Sequence, residues 1–506
     1  MKKYITTPIY YVNDKPHLGS AYTTIACDVY ARFHRFLKND VFFLTGTDEH
    51  GQKIQQAAEK ANLHPKQFVD NVSKSFKALT THLKITNDDF IRTTEERHLK
   101  AAKALWKTLE EKGFIYLGKY EGYYSVRDEA FYQESELIDG KAPTGAVVEW
   151  TVEESYFFKL SEFTDKLLAY YQENPSFIMP ESRRNEVIAF VKSGLHDLSI
   201  SRTSFTWGVD VDKKQEQTKD HIMYVWVDAL TNYLTSIGYP DKLDTERFKQ
   251  AIHVVGKDIL RFHAVYWPAL LMAADLPLPK QIFAHGWWTV EGEKMSKSLK
   301  NTIDPIQLVD DFGIDAVRNY VLREMPFGQD GNFSMQSFIT RTNADLANAF
   351  GNLVQRVFSF IYKNCDQKIP RNEPLKEHDL ALMNQPNTYL KDLIKYMEDL
   401  SFNKYIETLW QIVHSANAYI DQEKPWDLKK TDPHRMEVVL YTVCETIRKI
   451  ALLAESCLPI GADKILTLLN IPENNRTIDA LDYPLIPGSL ILEPTGIYPR
   501  IAVNNT

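Results

Sequence analysis

The stretch from Tyr4 to Ser20 constrains this chain more than any other. Tyr4-Ile5-Thr6-Thr7-Pro8-Ile9-Tyr10-Tyr11 reads as a buried strand, Val12-Asn13-Asp14-Lys15-Pro16 as a polar loop, and His17-Leu18-Gly19-Ser20 as the mouth of a helix. A strand that runs straight into a helix amino end builds an anion site, because the N–H groups of the first turn and the positive end of the helix dipole face the loop. Gly19 lets a ligand approach the backbone. His17 carries an N–H donor on a short arm, suited to an oxygen whose negative charge grows during a reaction. Taken alone, the same four residues fit a simple helix cap equally well.

The next thirty residues set the fold class. Tyr22, Ile25, Ala26, Val29, Phe33, Phe36 and Leu37 recur three and four apart, the stripe of an amphipathic helix, and Val41-Phe42-Phe43-Leu44 then reads as a strand. This strand-helix-strand unit predicts the right-handed parallel crossover of a doubly wound α/β sheet. Thr45-Gly46-Thr47-Asp48-Glu49-His50-Gly51 then falls at the carboxyl edge of the second strand, beside His17, where such sheets bind ligands. Asp48 is there a candidate partner for a cation, with a helix cap as the alternative. Residues 51–112 read as helical, broken at His64-Pro65, with Phe68, Val72, Phe76 and Leu79 as a core stripe.

From Tyr116 to Asp220 short aromatic strand-like pieces and turns predict a module inserted between two halves of the sheet. Parallel-sheet texture returns at Met223–Asp228 and Ile252–Asp258, and a helix over Ile259–Leu271 carries His263 on the face of Ile259. His263 alone reads more readily as a core histidine than as a contact. Gly256 and Asp258, just past a strand end, are placed to meet a ribose. Asp304-Pro305 opens another helical element, and Ser334 to Asn470 is almost wholly helical in period, including Met335–Lys363, Leu400–Glu423 and Met436–Ala454. The tail, Leu490–Ile501, has strand-like pieces and prolines and is expected to pack back on the body.

A chain of 506 residues predicts several domains, and 44% hydrophobic with 25% charged residues is ordinary globular composition. No apolar run is long enough to cross a bilayer, and Met1-Lys2-Lys3-Tyr4 passes directly into a strand, so the expected compartment is the cytoplasm or an equivalent. Cys27, Cys365, Cys444 and Cys457 form no Cys-x-x-Cys pair and have no histidine at ligand spacing; they read as buried apolar groups, and no structural zinc is expected. A net charge of −8 argues against coating of nucleic acid by the whole surface and leaves room for a small basic path.

Glu293-Lys294-Met295-Ser296-Lys297-Ser298, after the strand-like Ile282–Trp288, is a basic loop whose plain reading is a solvated charge run. Together with His17–Ser20, however, it resembles the signature pair of class I aminoacyl-tRNA synthetases, letter for letter from Lys294 to Ser298. Thr7–Asn13, Thr45–Gly51, Tyr224–Ala229, Gly256–Ile259 and Gly351–Arg356 extend the resemblance to the methionyl-tRNA synthetases over nearly the whole length. It implies a Rossmann-like catalytic sheet in two halves (1–115 and 223–290), a connective insert (116–222), a loop and stem-contact region (291–345), and a C-terminal α-helical anticodon-binding bundle with its tail (346–506).

The resemblance also implies roles. Ile9, Tyr11, Trp226, Tyr233, Ile259 and His263 would form a methionine pocket, with Asp48 taking the ammonium. His17, Gly19, Gly256, Asp258 and Lys297 would bind ATP; His17, Ser20, Lys294 and Lys297 would be catalytic, with Ser296 and Ser298 shaping the loop. Asn352 and Arg356, four apart on one helix face, and Trp426 would read the CAU anticodon. ATP with Mg2+, L-methionine and tRNA(Met), including initiator tRNA, are the implied partners of a monomeric, zinc-less enzyme working through methionyl-adenylate. Two departures stand out: Ser20 replaces the second histidine of many relatives, and Ser125-Val126-Arg127-Asp128 stands where many carry a zinc knuckle, leaving aromatic packing to hold the insert. Rival readings are a synthetase for isoleucine, valine, leucine or cysteine, a silent tRNA-binding paralogue, and a small-substrate adenylyltransferase without an RNA partner. A chelator that removes zinc and spares magnesium is expected to leave methionine-dependent tRNA charging intact, measured as charging of initiator tRNA with and without it.

Overall fold

A computed structural model describes residues 1–12, 15–128, 130–132, 134–211, 220–294 and 301–502, with the backbone alone at Tyr120, Ala130, Phe131 and Lys294. Strand β1 (Lys2–Thr6) is followed by the two-residue β2 (Tyr10–Tyr11), helix α1 (Leu18–Phe36) and strand β3 (Asp40–Asp48). β1 pairs in parallel with β3 from Lys2↔Asp40 to Thr6↔Leu44, and β2 resumes along the same strand at Tyr10↔Thr47 and Tyr11↔Asp48. The single strand expected over 4–11 is therefore split. Pro8 has no N–H to donate to the ladder, and the interruption falls there.

Helices α2 (Gln52–Lys60) and α3 (Pro65–His82) meet at His64, which caps α3. Then β4 (Asp89–Arg92), inside the stretch expected to be helical, pairs with the other edge of β3. Four residues are too few to show a period. The approach of β4 requires Gly46, where a Cβ would lie 2.0 Å from the Ile91 carbonyl oxygen. Helix α4 (Glu96–Glu111) closes this half.

The insert runs through β5 (Ile115–Ser125), β6 (Ala130–Tyr132), β7 (Glu149–Phe158), α5 (Thr164–Glu173), β8 (Ile178–Met179), α6 (Glu181–Lys192), β9 (Leu198–Ser199), β10 (Ser201–Arg202) and β11 (Ile222–Met223). An antiparallel sheet, β6-β5-β7-β9, forms its body, but β8 leaves it to pair in parallel with the main sheet. The stretch 116–222 is thus not wholly separate from the catalytic sheet. The strand expected at 223–228 is instead α7 (Val225–Leu230), entered from Tyr224. Its Val-Trp-Val pattern favours a strand locally, and tertiary packing overrides it.

Strands β12 (Ala251–Gly256) and β13 (Gln281–His285) complete the main sheet, ordered β2-β3-β1-β12-β13-β8 with β4 also on β3. Between them the expected helix 259–271 is broken into a 3-10 turn Lys257–Ile259, a π-helical turn Phe262–Tyr266 and an α-helix Trp267–Ala273. The chain leaves β1 toward β3 on one side and returns to β12 on the other, which opens a crevice at the carboxyl ends of β1 and β12.

The C-terminal part is helical, with Glu377–Glu398, Phe402–Glu423 and Pro433–Ala454 packed on one another. Its core is continuous with the buried face of α1. The tail packs back as expected but forms no strand over 490–501; Tyr498 Oη donates to Asp315 at 2.9 Å, and the Ile501 N–H to Asn343 at 2.8 Å. All four cysteines are free; three are buried, and Cys365, expected buried, is half-buried. Among the described residues no helix is long and apolar enough to cross a membrane.

One buried arginine ties the two parts together. Arg318, fully buried, donates to Asp28 of α1 at 2.7 Å, to the Ser456 and Cys457 carbonyls at 2.9 and 3.1 Å, and to the Leu83 carbonyl at 3.3 Å. Burial raises the pKa of Asp28, but Arg318 and Arg32 outweigh it, so the carboxyl titrates below its ordinary value. Arg318→Ala leaves Asp28 buried without its main counter-charge and is expected to cost about 3–5 kcal/mol, while Arg318→Met combined with Asp28→Leu costs less; urea unfolding midpoints of the two variants check this.

Candidate active site

The first group of candidate residues begins at the amino end of α1. His17 is its cap: Nδ1 accepts from the Gly19 N–H at 3.0 Å, while the Ser20 hydroxyl accepts from the His17 N–H at 3.0 Å and donates to the His17 carbonyl at 2.8 Å. An imidazole that accepts at Nδ1 and is neutral carries its proton on Nε2, so the cap itself selects the donor tautomer. Gly19 makes room for the ring, since a Cβ there would lie 2.8 Å from His17 Cε1. The Ser20 hydroxyl, bonded to the His17 backbone in both directions, helps to orient the histidine.

His17, Gly19 and Ser20 line a cavity of about 310 Å³ with Gly256, Asp258, His285 and Trp287. Asp258 accepts from the Trp287 indole at 3.1 Å. His285, held between the Thr23 hydroxyl at 2.7 Å and the Gly286 carbonyl at 2.8 Å, has its pKa lowered by burial. The Lys294 backbone pairs with Thr289; Met295, Ser296, Lys297 and Ser298 lie outside the described residues.

A second cavity, about 760 Å³, is lined by Ile9, Tyr11, Asp48, Trp226, Tyr233, Ile259 and His263 together. Pro8, Tyr10, Asp258, Ile259 and Trp287 line both cavities, so the two adjoin. Trp226 stacks face to face on Phe262, rings 3.9 Å apart and 6° from parallel. His263 Nδ1 donates to the Ile259 carbonyl at 3.0 Å, which leaves Nε2 to accept from Tyr233 Oη at 2.8 Å. Burial lowers the His263 pKa to about 4, so the ring is neutral near pH 7. The cavity thus combines polarizable aromatic walls with the carboxylates Asp48, Asp128 and Asp258, of which Asp48 is largely buried.

The insert also reaches this cavity, through Arg127, Asp128, Tyr132 and Thr144. Asp128 accepts from Tyr132 Oη at 3.1 Å and from the Thr144 hydroxyl, its N–H donates to Ser125 Oγ at 3.1 Å, and Arg127 donates to the Thr144 carbonyl at 2.6 Å. A polar network therefore holds the tip alongside the expected aromatic contacts, such as Tyr123 with Trp150 at 5.1 Å. Among the described residues no group of three or more His, Cys, Asp or Glu is arranged to hold a metal ion.

In the helical part, Asn352 is exposed at the start of the helix Asn352–Asn364. Arg356, one turn on, lies 5.4 Å from the Trp426 ring and pairs with Asp421 at 2.7 Å. Trp426 is 39% exposed, so it is not a core tryptophan.

Residues 3–149 and 137–358 match the family model described as tRNA synthetases class I (M), and residues 369–502 match the anticodon binding domain of methionyl tRNA ligase. The chain belongs to the methionyl-tRNA synthetase family. Methionine–tRNA ligases of Rickettsia felis and Rickettsia conorii are each 54% identical to it over 505 residues, covering 98% of this chain and 98% and 99% of theirs. The Mycobacterium tuberculosis methionyl-tRNA synthetase, solved in complex with methionyl-adenylate, superposes with a TM-score of 0.95 at 48% identity, covering 99% of this chain and 100% of that one.

Against this methionyl-tRNA synthetase fold, sequence reasoning missed Phe262, Trp287 and the insert residues at the cavity. Trp287 follows the carboxyl end of β13, the same edge as Gly256, so the carboxyl-edge rule pointed to it. Phe262 and Arg127 carry no comparable local signal. His263 is expected to titrate at about 4; the unfolded ring takes up its proton near 6.5, so this group lowers stability as pH falls from 6.5 toward 4. Histidine-ring NMR across that range, with His263→Gln to assign the signal, checks it.

Proposed function

We propose that the chain joins L-methionine to tRNA(Met) in two steps. The methionine carboxylate attacks the α-phosphate of ATP, giving methionyl-adenylate and pyrophosphate; the terminal ribose hydroxyl of the tRNA then takes the aminoacyl group and AMP leaves. The observation that carries this reading is the seam between the two cavities, where five shared residues let an amino acid in one meet a nucleotide in the other. Full-length similarity to methionine–tRNA ligases supports the same reading.

In this reading Asp48 takes the ammonium, and Ile9, Tyr11, Trp226, Tyr233, Ile259 and a neutral His263 surround the thioether; a cationic histidine would favour anionic side chains instead. Gly256 and Asp258 meet the ribose. His17 Nε2 donates to the transferring phosphate, with Gly19 and Ser20 holding that ring in place, and Lys294 and Lys297 neutralise the leaving pyrophosphate. The work is positioning and electrostatics, with no acid or base required. Mg2+ enters with the nucleotide, held by its phosphates. Asn352, Arg356 and Trp426 read the anticodon, a donor pair beside a stacking plane.

The reading extends to the initiator tRNA as a partner and to a monomeric, zinc-less enzyme of the cytoplasm. Residues 1–115 and 223–290 form its catalytic halves, 116–222 the insert, 291–345 the loop and stem-contact region, and 346–506 the anticodon-binding part; the pairing of β8 with β13 qualifies the second boundary. Lys297→Ala is expected to lower methionine-dependent ATP–pyrophosphate exchange by about 100-fold or more while tRNA binding survives. Trp426→Ala is expected to keep exchange and to weaken charging by about 5- to 150-fold, the loss of one stacked base. Exchange equal in Lys297→Ala and parent counts against the assignment.

A further inference from the structure

Outside both cavities, a carboxylate is buried between two histidines. Asp228, 1% exposed, accepts from His50 Nδ1 at 2.7 Å through one oxygen and from His98 Nε2 at 2.7 Å through the other. A carboxylate only accepts, so both rings donate. Burial raises the Asp228 pKa, but the two histidines outweigh it and hold the group at about 2, ionised across the working range. None of the three side chains lines the methionine-side cavity.

Each end of this clasp nonetheless stands two residues from a cavity wall. Asp228 follows Trp226 on α7, and two positions around a helix are about 200° apart, so Trp226 faces the cavity and Asp228 faces away. His50 follows Asp48 at the end of β3, and its carbonyl accepts from Tyr11 Oη at 3.1 Å, which ties a third wall residue to the same point. His98 comes from α4 and anchors the carboxylate to a helix outside the site. At six residues, α7 is too short to hold itself in place and belongs to no sheet, so tertiary contacts must position it.

We propose that Asp228 is a specificity-determining positioning residue: by gripping His50 and His98 it sets the distance between the ammonium end of the cavity, at Asp48, and its side-chain end, at Trp226. The clasp acts as a ruler for amino-acid length. This role rests on methionine being the occupant of the larger cavity. A carboxylate suits the task because its two oxygens hold two donors at a fixed separation, and charge-assisted bonds are the shorter and stronger kind. Loosening the ruler admits side chains one methylene longer or shorter, a difference that pockets otherwise discriminate by about 10- to 200-fold.

Asp228→Asn keeps the shape and one acceptor but cannot accept from both rings. In ATP–pyrophosphate exchange it is expected to raise KM for methionine by about 10-fold or more with KM for ATP within about twofold, and to shrink the preference for methionine over ethionine and S-methylcysteine by about fivefold or more. His98→Gln, which retains a donor, is expected to keep most of that preference, and His98→Leu to lose it. Should Asp228→Asn fail to fold, as judged by circular dichroism, the His98 pair decides on the same readouts. Preference within twofold of the parent in Asp228→Asn or His98→Leu overturns the proposal, as do equal rises in KM for methionine and ATP. A parent enzyme without methionine-dependent exchange would instead sink the functional reading itself.

Discussion

The parallel pairing of β1 with β3 on one side and β12 on the other is the constraint on which the rest of the molecule depends. The chemically equipped segments leave the carboxyl ends of this sheet: the His17 cap after β1 and β2, Asp48 at the end of β3, Gly256 and Asp258 after β12, and His285 to Trp287 after β13. They are scattered widely along the sequence. The reversal of strand order at β1 brings them to one crevice, and Pro8, by interrupting the ladder, lets the chain there face the cavities instead of a neighbouring strand.

Charge is distributed around that crevice with a consistent logic. Ionised side chains that do not face a cavity are buried with partners, as in Asp28 with Arg318 and Asp228 with His50 and His98. Two of the histidines that line a cavity, His263 and His285, are hydrogen-bonded, and burial lowers the pKa of each. The larger cavity presents aromatic surface together with the charged Asp48, Lys53, Arg127, Asp128 and Asp258. The Asp28–Arg318 pair adds a mechanical link, since it joins the helix that carries His17 to the carboxyl end of Pro433–Ala454 in the helical part.

Much of the site was legible in the sequence because short loops at strand ends carry unusual residues for chemical reasons. His17, Asp48, Gly256 and Asp258 stand out in that way, and the structure groups them as the carboxyl-edge rule requires, while His263 entered only through the family resemblance. The misreadings are equally specific. The reading of Gly19 and Ser20 as ligand-facing omitted their part in the His17 cap, which they build while lining the smaller cavity. Trp226 read as part of a strand and sits on a short helix whose orientation local preference opposes. Phe262 and Arg127 had no signal at all.

Hydrophobic period and residue type at strand ends were enough to specify the class of fold and to mark Asp48, Gly256 and Asp258 at its binding edge, while the make-up of the larger cavity came through the resemblance to the methionyl-tRNA synthetases. The folded chain was needed to settle which tautomer His17 presents, that His263 stays neutral against Tyr233, that β8 crosses from the insert into the main sheet, and that Asp228 grips two histidines from separate elements. Those outcomes depend on which groups meet across long sequence separations and on how much water is excluded between them. Period and composition carry no record of either.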